Sequence, residues 1–369
     1  MIEEKRRSIL SIRDLEISFT TSSGILKAIR GIKLDLFKGE TVAIVGESGS
    51  GKSVTVKAVM GILSNNGTIN NGSIIYTYKD AHGNEKEYDI VKMTPKEIRK
   101  EISGKRVAMV FQDPMTSLNP TMTIGNQIME GMQHHYKTSK AEAKAKAEEF
   151  LRLVGIDNPA KRMKQYPNQL SGGMRQRVVI AIALSCEPDI LICDEPTTAL
   201  DVTVQAKILE LIKDIQRQKG VSVIYITHDL GVVAKVADYV AVMYAGRIVE
   251  KGAVEEIFYD PRHPYTWGLL SSIPDISTLD GKLYSIPGSP INLINGFEGD
   301  AFALRNEYAL NIDFRLNPPM FNVGGKHRVA TWLAHENAPK IEMPKDLRRR
   351  IDKMLQGVGK DERKAYIGC

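Results

Sequence analysis

Cysteine is nearly absent: Cys186, Cys193 and Cys369 are the only three in 369 residues. Their spacing suits neither a zinc site nor a disulfide framework, which points to a reducing compartment. Long apolar runs are missing too. The strongest, Val178 to Leu184, has the length of a buried element and falls far short of a membrane span. No apolar stretch follows the charges of the N-terminal MIEEKRRSIL, so no secretory signal is expected. Charge of one sign is scarce, with 50 Lys and Arg against 44 Asp and Glu. The resulting +6 permits contact with acidic surfaces without making the chain a nucleic-acid binder. The residues present, 43% hydrophobic and 25% charged, describe an ordinary globular protein long enough for two or three folded units.

Residues 9–45 alternate apolar and polar positions and are predicted to be strands, ending in the β-branched run Thr41-Val42-Ala43-Ile44-Val45. Polar residues 79–87 read as a hairpin tip, and 139–153 as a helix closed near Gly155. From 173 to 244 helix and strand alternate, which predicts a mostly parallel, covered sheet. After Gly252 the composition shifts toward Pro, Asn and Gly, and residues 260–339 read as a small irregular accessory domain. A basic tail closes the chain and reads as a solvated helix with a frayed end.

Between the apolar strand and the next helix stands Gly46-Glu47-Ser48-Gly49-Ser50-Gly51-Lys52-Ser53, a G-x-x-x-x-G-K-[ST] pattern. Glycines let successive backbone N–H groups turn toward an anion, and the following helix adds its positive end. Lys52 is expected on the β- and γ-phosphates of a nucleotide and the Ser53 hydroxyl on Mg²⁺. Another apolar strand, Asp189 to Cys193, ends in Asp194-Glu195. Lying beside the phosphate-loop strand, it would bring Asp194 to the magnesium, partly through water, and Glu195 to the attacking water. A further strand ends at Thr227-His228-Asp229, placing His228 at the same sheet edge.

Leu170-Ser171-Gly172-Gly173-Met174-Arg175-Gln176-Arg177 resembles the LSGGQ-type signature of the ATP-binding-cassette ATPases. Read locally, it is a helix N-cap with small residues, and so an anion site. The resemblance, which covers about residues 9–255, implies a P-loop ATPase of α/β class with a RecA-like core, an antiparallel β subdomain and a helical signature subdomain near 114–178. It implies that Phe19 stacks on adenine and that residues 48–54 (Ser48, Gly49, Ser50, Gly51, Lys52, Ser53 and Val54) hold the phosphates. Gln112 matches the Q-loop, sensing Mg²⁺ with Ser53 and Asp194 and contacting a membrane subunit, while Ala199-Leu200-Asp201 matches the D-loop. Glu195, His228 and Gln112 are the expected catalytic set. Ser171, Gly172, Gly173 and Asp201 would serve the nucleotide held by an opposing ATPase.

QDPMTSLNP (112–120), YPNQLSGGMRQR (166–177), DPRHPYTWGLLSSIP (260–274) and SIPGSP (285–290) resemble the oligopeptide/dipeptide import group, and LSGGMRQR its D-type ATPase subunit. That resemblance implies a nucleotide-binding domain over 1–255, an importer-type extension over 256–338 and the basic tail over 339–369. The partners it implies are a related second ATPase in a heterodimer, two integral membrane permeases and an extracytoplasmic peptide-binding protein, with this chain peripheral on the cytoplasmic face. Many relatives carry extension cysteines able to hold an iron–sulfur cluster. Here those positions align with Asp300, Asn306, Asp313 and Thr331, so no cluster is expected. The same importer type with nickel, opine or sugar-oligomer cargo remains an alternative, since other subunits choose the cargo. A soluble cassette ATPase working on ribosomes or DNA fits less well. The chain has one phosphate loop and one signature, and the roughly 135 residues between Ser53 and Asp189 hold no sustained heptads. No nucleic-acid partner is therefore expected.

Overall fold

The computed structural model describes residues 8–79, 82–198, 200–273 and 285–356. Two sheets organise it. The antiparallel sheet is built from β1 (Ser8–Thr21), β2 (Gly24–Phe37), β4 (Gly67–Lys79) and β5 (Glu85–Asp89), in the order β2-β1-β4-β5. The larger sheet begins with β3 (Thr41–Val45), followed in the chain by α1 (Lys52–Val59) and later by α2 (Pro95–Glu101) and β6 (Val107–Val110). A helical layer comes next: α3 (Pro114–Ser117), α4 (Ile124–Tyr136), α5 (Lys140–Leu153), α6 (Pro159–Arg162) and α7 (Gly172–Leu184). The chain returns to the sheet through β7 (Ile190–Asp194), α8 (Val202–Lys219), β8 (Ser222–Thr227), α9 (Leu230–Val236), β9 (Tyr239–Tyr244) and β10 (Arg247–Ala253). It continues with α10 (Val254–Tyr259), α11 (Pro264–Ser271), β11 (Phe321–Gly324), β12 (His327–Val329) and α12 (Lys345–Gln356).

The order in the large sheet is β11-β12-β10-β9-β3-β8-β7-β6, and the five strands from β9 to β6 run parallel. The antiparallel sheet and α1 cover one face of these strands and helices the other, so β3, β7 and β8 are buried along their whole length and read as continuous apolar runs. Among the described residues no helix is long and apolar enough to cross a membrane.

The strand order differs from the one expected of the sequence. The strand ending in Asp194 does not lie beside the phosphate-loop strand, because β8 sits between β3 and β7. Apolar runs of five and six residues carry no information about which neighbour each will choose. The segment expected to be an irregular accessory domain also contributes regular structure: β12 pairs with β10, and β11 with β12, extending the large sheet. Farther along, the Lys27 N–H donates to the Leu293 carbonyl at 3.2 Å and the Asn295 N–H to that of Ile25 at 2.9 Å. Both sheets are thereby tied to the extension. The tail helix α12 is more than a solvated rod, since Leu347, Ile351 and Leu355 form a buried i, i+4, i+8 stripe.

Glu250 on β10 is the polar fastener of this region and is fully buried. Its carboxylate accepts from the backbone N–H groups of Arg262 and His263, at 2.6 and 3.1 Å, and lies 2.7 Å from His327 Nε2 on β12. Glu250→Ala would strip the buried His263 N–H and His327 ring, and the part-buried Arg262 N–H, of their partner, at about 1–3 kcal/mol for each. We expect the urea midpoint of the full chain to fall by the equivalent of at least about 3 kcal/mol. A loss below about 1 kcal/mol would show that water or a neighbour replaces the carboxylate.

Candidate active site

Four parallel strands, β3, β8, β7 and β6, point their carboxyl ends at one edge of the sheet, where open α/β sheets place their ligands. Past β3 the chain cannot continue straight. A Cβ on Gly46 would lie 2.1 Å from the Met243 carbonyl oxygen, and its φ of +152° suits only glycine. The loop then curls around Gly49 and Gly51, both at positive φ, into α1. Ser48 and Gly49 are exposed, Gly51 is buried, and Ser50 is buried with no hydrogen-bond partner for its Oγ. Lys52 is 5% exposed and folds back over the loop, its Nζ donating to the carbonyls of Gly46 at 2.8 Å and Glu47 at 2.9 Å. Burial pushes the Lys52 ammonium below the ordinary lysine range, opposed by Glu195, Asp194 and Glu47. Val54 is half-buried and turns into the apolar core between the two sheets.

The gap left by β8 is closed from the helix side. Ser53 Oγ, in the first turn of α1, donates to Asp194 Oδ1 at 2.9 Å. Burial pushes the Asp194 carboxyl above the usual range; the Ser53 hydrogen bond works the other way. Glu195 follows with φ +46°, a left-handed conformation rare outside glycine and costing on the order of 1–3 kcal/mol. Its N–H is tied to the Ile226 carbonyl at 3.0 Å, which holds the strained turn. The carboxylate thereby meets side chains from both flanking strands. Gln112 Nε2, just past β6, donates to Glu195 Oε2 at 3.1 Å, and His228 Nδ1, just past β8, is 3.2 Å from Glu195 Oε1. Ser53, Asp194, Glu195, Gln112 and His228 therefore converge, together with Lys52.

Chemically the site offers oxygen donors from a hydroxyl, a carboxylate and a carboxamide, which suit a hard divalent cation such as Mg²⁺. It also offers a glycine cradle with an orphaned Ser50 hydroxyl, and a fixed carboxylate beside an imidazole. Nucleoside triphosphate and Mg²⁺ fit these residues.

Comparison with known proteins supports the nucleotide. A family model described as "ABC transporter" matches residues 29–198, and one described as "Oligopeptide/dipeptide transporter, C-terminal region" matches 249–312. The chain is 55% identical to the oligopeptide transport ATP-binding protein OppD of Bacillus subtilis over 348 residues, 94% of each chain. It is 51% identical to AmiE of Streptococcus pneumoniae, covering 96% of this chain and 98% of the relative. Against the dipeptide transport ATP-binding protein DppD of Lactococcus lactis it is 51% identical, covering 92% and 94%. The chain belongs to the ABC transporter ATPases of the oligopeptide/dipeptide group. Among solved structures it resembles a dimeric ATP-binding cassette bound to ADP and Pi, at 25% identity and a TM-score of 0.56 over 66% of this chain and 98% of that one. The cassette cbiO1 of Clostridium perfringens matches at 30% identity and a TM-score of 0.57, over 69% and 91%.

The remaining expected residues of this ABC ATPase lie outside the hydrogen-bonded cluster. Phe19 is half-buried on β1, between Leu26 of β2 and Gly67 of β4; a Cβ on Gly67 would come 2.7 Å from its ring. Ser171 caps α7 through Met174 N–H at 3.4 Å, and Asp201 caps α8 through Val204 N–H at 2.9 Å. The two caps are neighbours. A Cβ on Gly173 would come 2.8 Å from Val204 Cγ1 and one on Gly172 would meet Leu200, so signature and D-loop form one exposed corner. Ala199 lies outside the described residues.

Two features were not foreseen. Thr198 Oγ1 donates to Glu195 Oε2 at 3.0 Å; its spacing, three residues after Glu195, was the available signal. Glu47, a free position of the glycine-loop pattern, is gripped by Arg305 from 258 residues away, and no sequence signal announces that contact.

Proposed function

We propose that this ABC ATPase hydrolyses ATP to drive import of oligopeptides or dipeptides through separate membrane subunits. The observation that carries the proposal is the convergence of Gln112, Asp194, Glu195 and His228 on the glycine loop, in a chain half-identical to peptide-transport ATP-binding proteins. Mg²⁺, held by Ser53, Asp194 and Gln112, would neutralise phosphate charge. Lys52 leaves its two loop carbonyls to bind the β- and γ-phosphates, and Phe19 stacks on the adenine. Glu195, fixed on three sides, accepts a proton from the attacking water, while His228 and Gln112 hold its carboxylate in register. Ser171, Gly172, Gly173 and Asp201, on their own corner, face the nucleotide of an opposing ATPase. ATP then favours the closed pair over the open one, which is the condition for its binding to do work.

We divide the chain into a nucleotide-binding domain over 1–255, with a helical subdomain near 114–178, an extension over 256–338 and a tail over 339–369. The partners that suit this reading are a related ATPase of the same group, two membrane permeases and an extracytoplasmic peptide-binding protein, with this D-type subunit peripheral on the cytoplasmic face. At the aligned cysteine positions, Asp313 Oδ2 accepts from Leu310 N–H at 2.6 Å, while Asn306 and Thr331 accept from Tyr308 and Leu333 N–H. Asp300 accepts from Phe302 N–H. These side chains serve the loops.

The test is mass spectrometry of what copurifies with the tagged chain from gently solubilised membranes. Two multispanning proteins, a second cassette ATPase and a peptide-binding protein are expected. Recovery only from the soluble fraction with ribosomal or DNA-associated partners would overturn the transport reading and leave the ATPase chemistry standing.

A further inference from the structure

The glycine-loop pattern asks nothing of Glu47, and an acid there is costly, because it stands one residue past Gly46 in a loop built to receive anions. In the fold this carboxylate is taken up by Arg305, at the end of the single turn Ala303–Arg305. The contact is a two-pronged fork: Nη1 donates to Glu47 Oε2 at 2.7 Å and Nη2 to Oε1 at 3.0 Å. Arg305 is itself held, its Nε donating to the Pro287 carbonyl at 2.8 Å and its Nη1 also reaching the Tyr244 hydroxyl at 3.3 Å. Only 5% of its side chain is exposed, against 28% for Glu47. A second grip comes from α11, where the Tyr265 hydroxyl accepts the Glu47 backbone N–H at 2.8 Å. Tyr244, Tyr265 and Phe302 pack ring on ring behind both contacts, with centroids 4.7 to 5.4 Å apart. The phosphate loop thus rests on the nucleotide-binding core on one side, where Gly46 meets Met243, and on the extension on the other.

We propose that Arg305 and Tyr265 are positioning residues through which the C-terminal extension holds the phosphate loop in shape and neutralises Glu47, so that ATP affinity depends on the extension. Arg is the residue for this task, since its planar fork fixes a carboxylate in orientation as well as in charge. Without it a free carboxylate would stand beside the incoming triphosphate. The inference rests on the nucleotide-site reading, and Lys52→Ala serves as the control that separates the two.

The experiment measures MgATP binding to the full chain by equilibrium dialysis, and KM and kcat in the assembled transporter. Arg305→Ala is expected to raise the MgATP Kd and KM about tenfold, with kcat at saturating ATP within about twofold of wild type. Arg305→Lys, which keeps the charge and loses the fork, should fall between. The double variant Arg305→Ala/Glu47→Gln should recover most of the lost affinity, which a merely structural role would not produce. If Arg305→Ala does not fold, Arg305→Lys and Tyr265→Phe, each expected to weaken MgATP binding, decide the matter. Affinity within about twofold of wild type in the folded variants, with Lys52→Ala weakened, would overturn the clamp alone. Failure of the wild-type chain itself to bind MgATP would overturn the nucleotide-site reading beneath it.

Discussion

Glu195→Gln in the assembled transporter is expected to bind MgATP with near-wild-type affinity and to lose about 10²–10³-fold in turnover. The substitution is nearly isosteric, so the left-handed turn at φ +46° and its tie to Ile226 are retained. Oε1 can still face His228, and one polar atom can still meet Gln112 or Thr198. What disappears is basicity: an amide cannot take the water proton as the γ-phosphate bond breaks. Binding is not expected to suffer, because Glu195 is an anion near a phosphate site and its neutralisation removes repulsion. Phosphate release at saturating MgATP, read beside equilibrium dialysis, separates the two effects. Hydrolysis at the wild-type rate would take Glu195 out of the reaction and leave it as a strained structural turn.

How far the sequence could reach depended on distance along the chain. The phosphate loop was legible because all its requirements are local: glycines at positive φ, a buried β-branched strand before and a helix after. Asp194, Glu195 and His228 were legible because each ends an apolar strand, and parallel strands share one carboxyl edge. Strand order was not. The strands β3, β7 and β8 are all apolar and of similar length, and only tertiary packing decides that β8 takes the middle place. The extension defeated periodicity for another reason. Its strands β11 and β12 span four and three residues, too few to show alternation. Glu250 sits in the run Ile248-Val249-Glu250, where an acid suggests an exposed face; it is buried because partners from Arg262, His263 and His327 converge there. The Arg305 fork shows the same limit, as nothing near either residue marks the other.

Lys52→Ala should act on the step that Glu195→Gln leaves alone. The side chain is nearly buried, and its ammonium donates to two loop carbonyls while Glu47, Asp194 and Glu195 surround it with negative charge. Once phosphates enter, this point charge is the counter-ion buried deepest in the loop, and charge-assisted hydrogen bonds of this kind contribute about 1.5–3 kcal/mol each. Losing two of them predicts a fall in MgATP affinity of about 10²-fold or more. Arg would not restore it, because a planar guanidinium fork does not reproduce the compact ammonium that reaches the two loop carbonyls. Thermal unfolding gives an independent reading. At a ligand concentration about 100 times the wild-type Kd, MgATP stabilises the wild-type chain by about 2.7 kcal/mol. A 10²-fold weaker variant at that concentration retains only about 0.4 kcal/mol, so its Tm barely responds to nucleotide. An unaltered nucleotide-induced rise in Tm would mean that the loop binds its anion through backbone N–H groups alone, with Lys52 holding loop shape and contributing nothing to affinity.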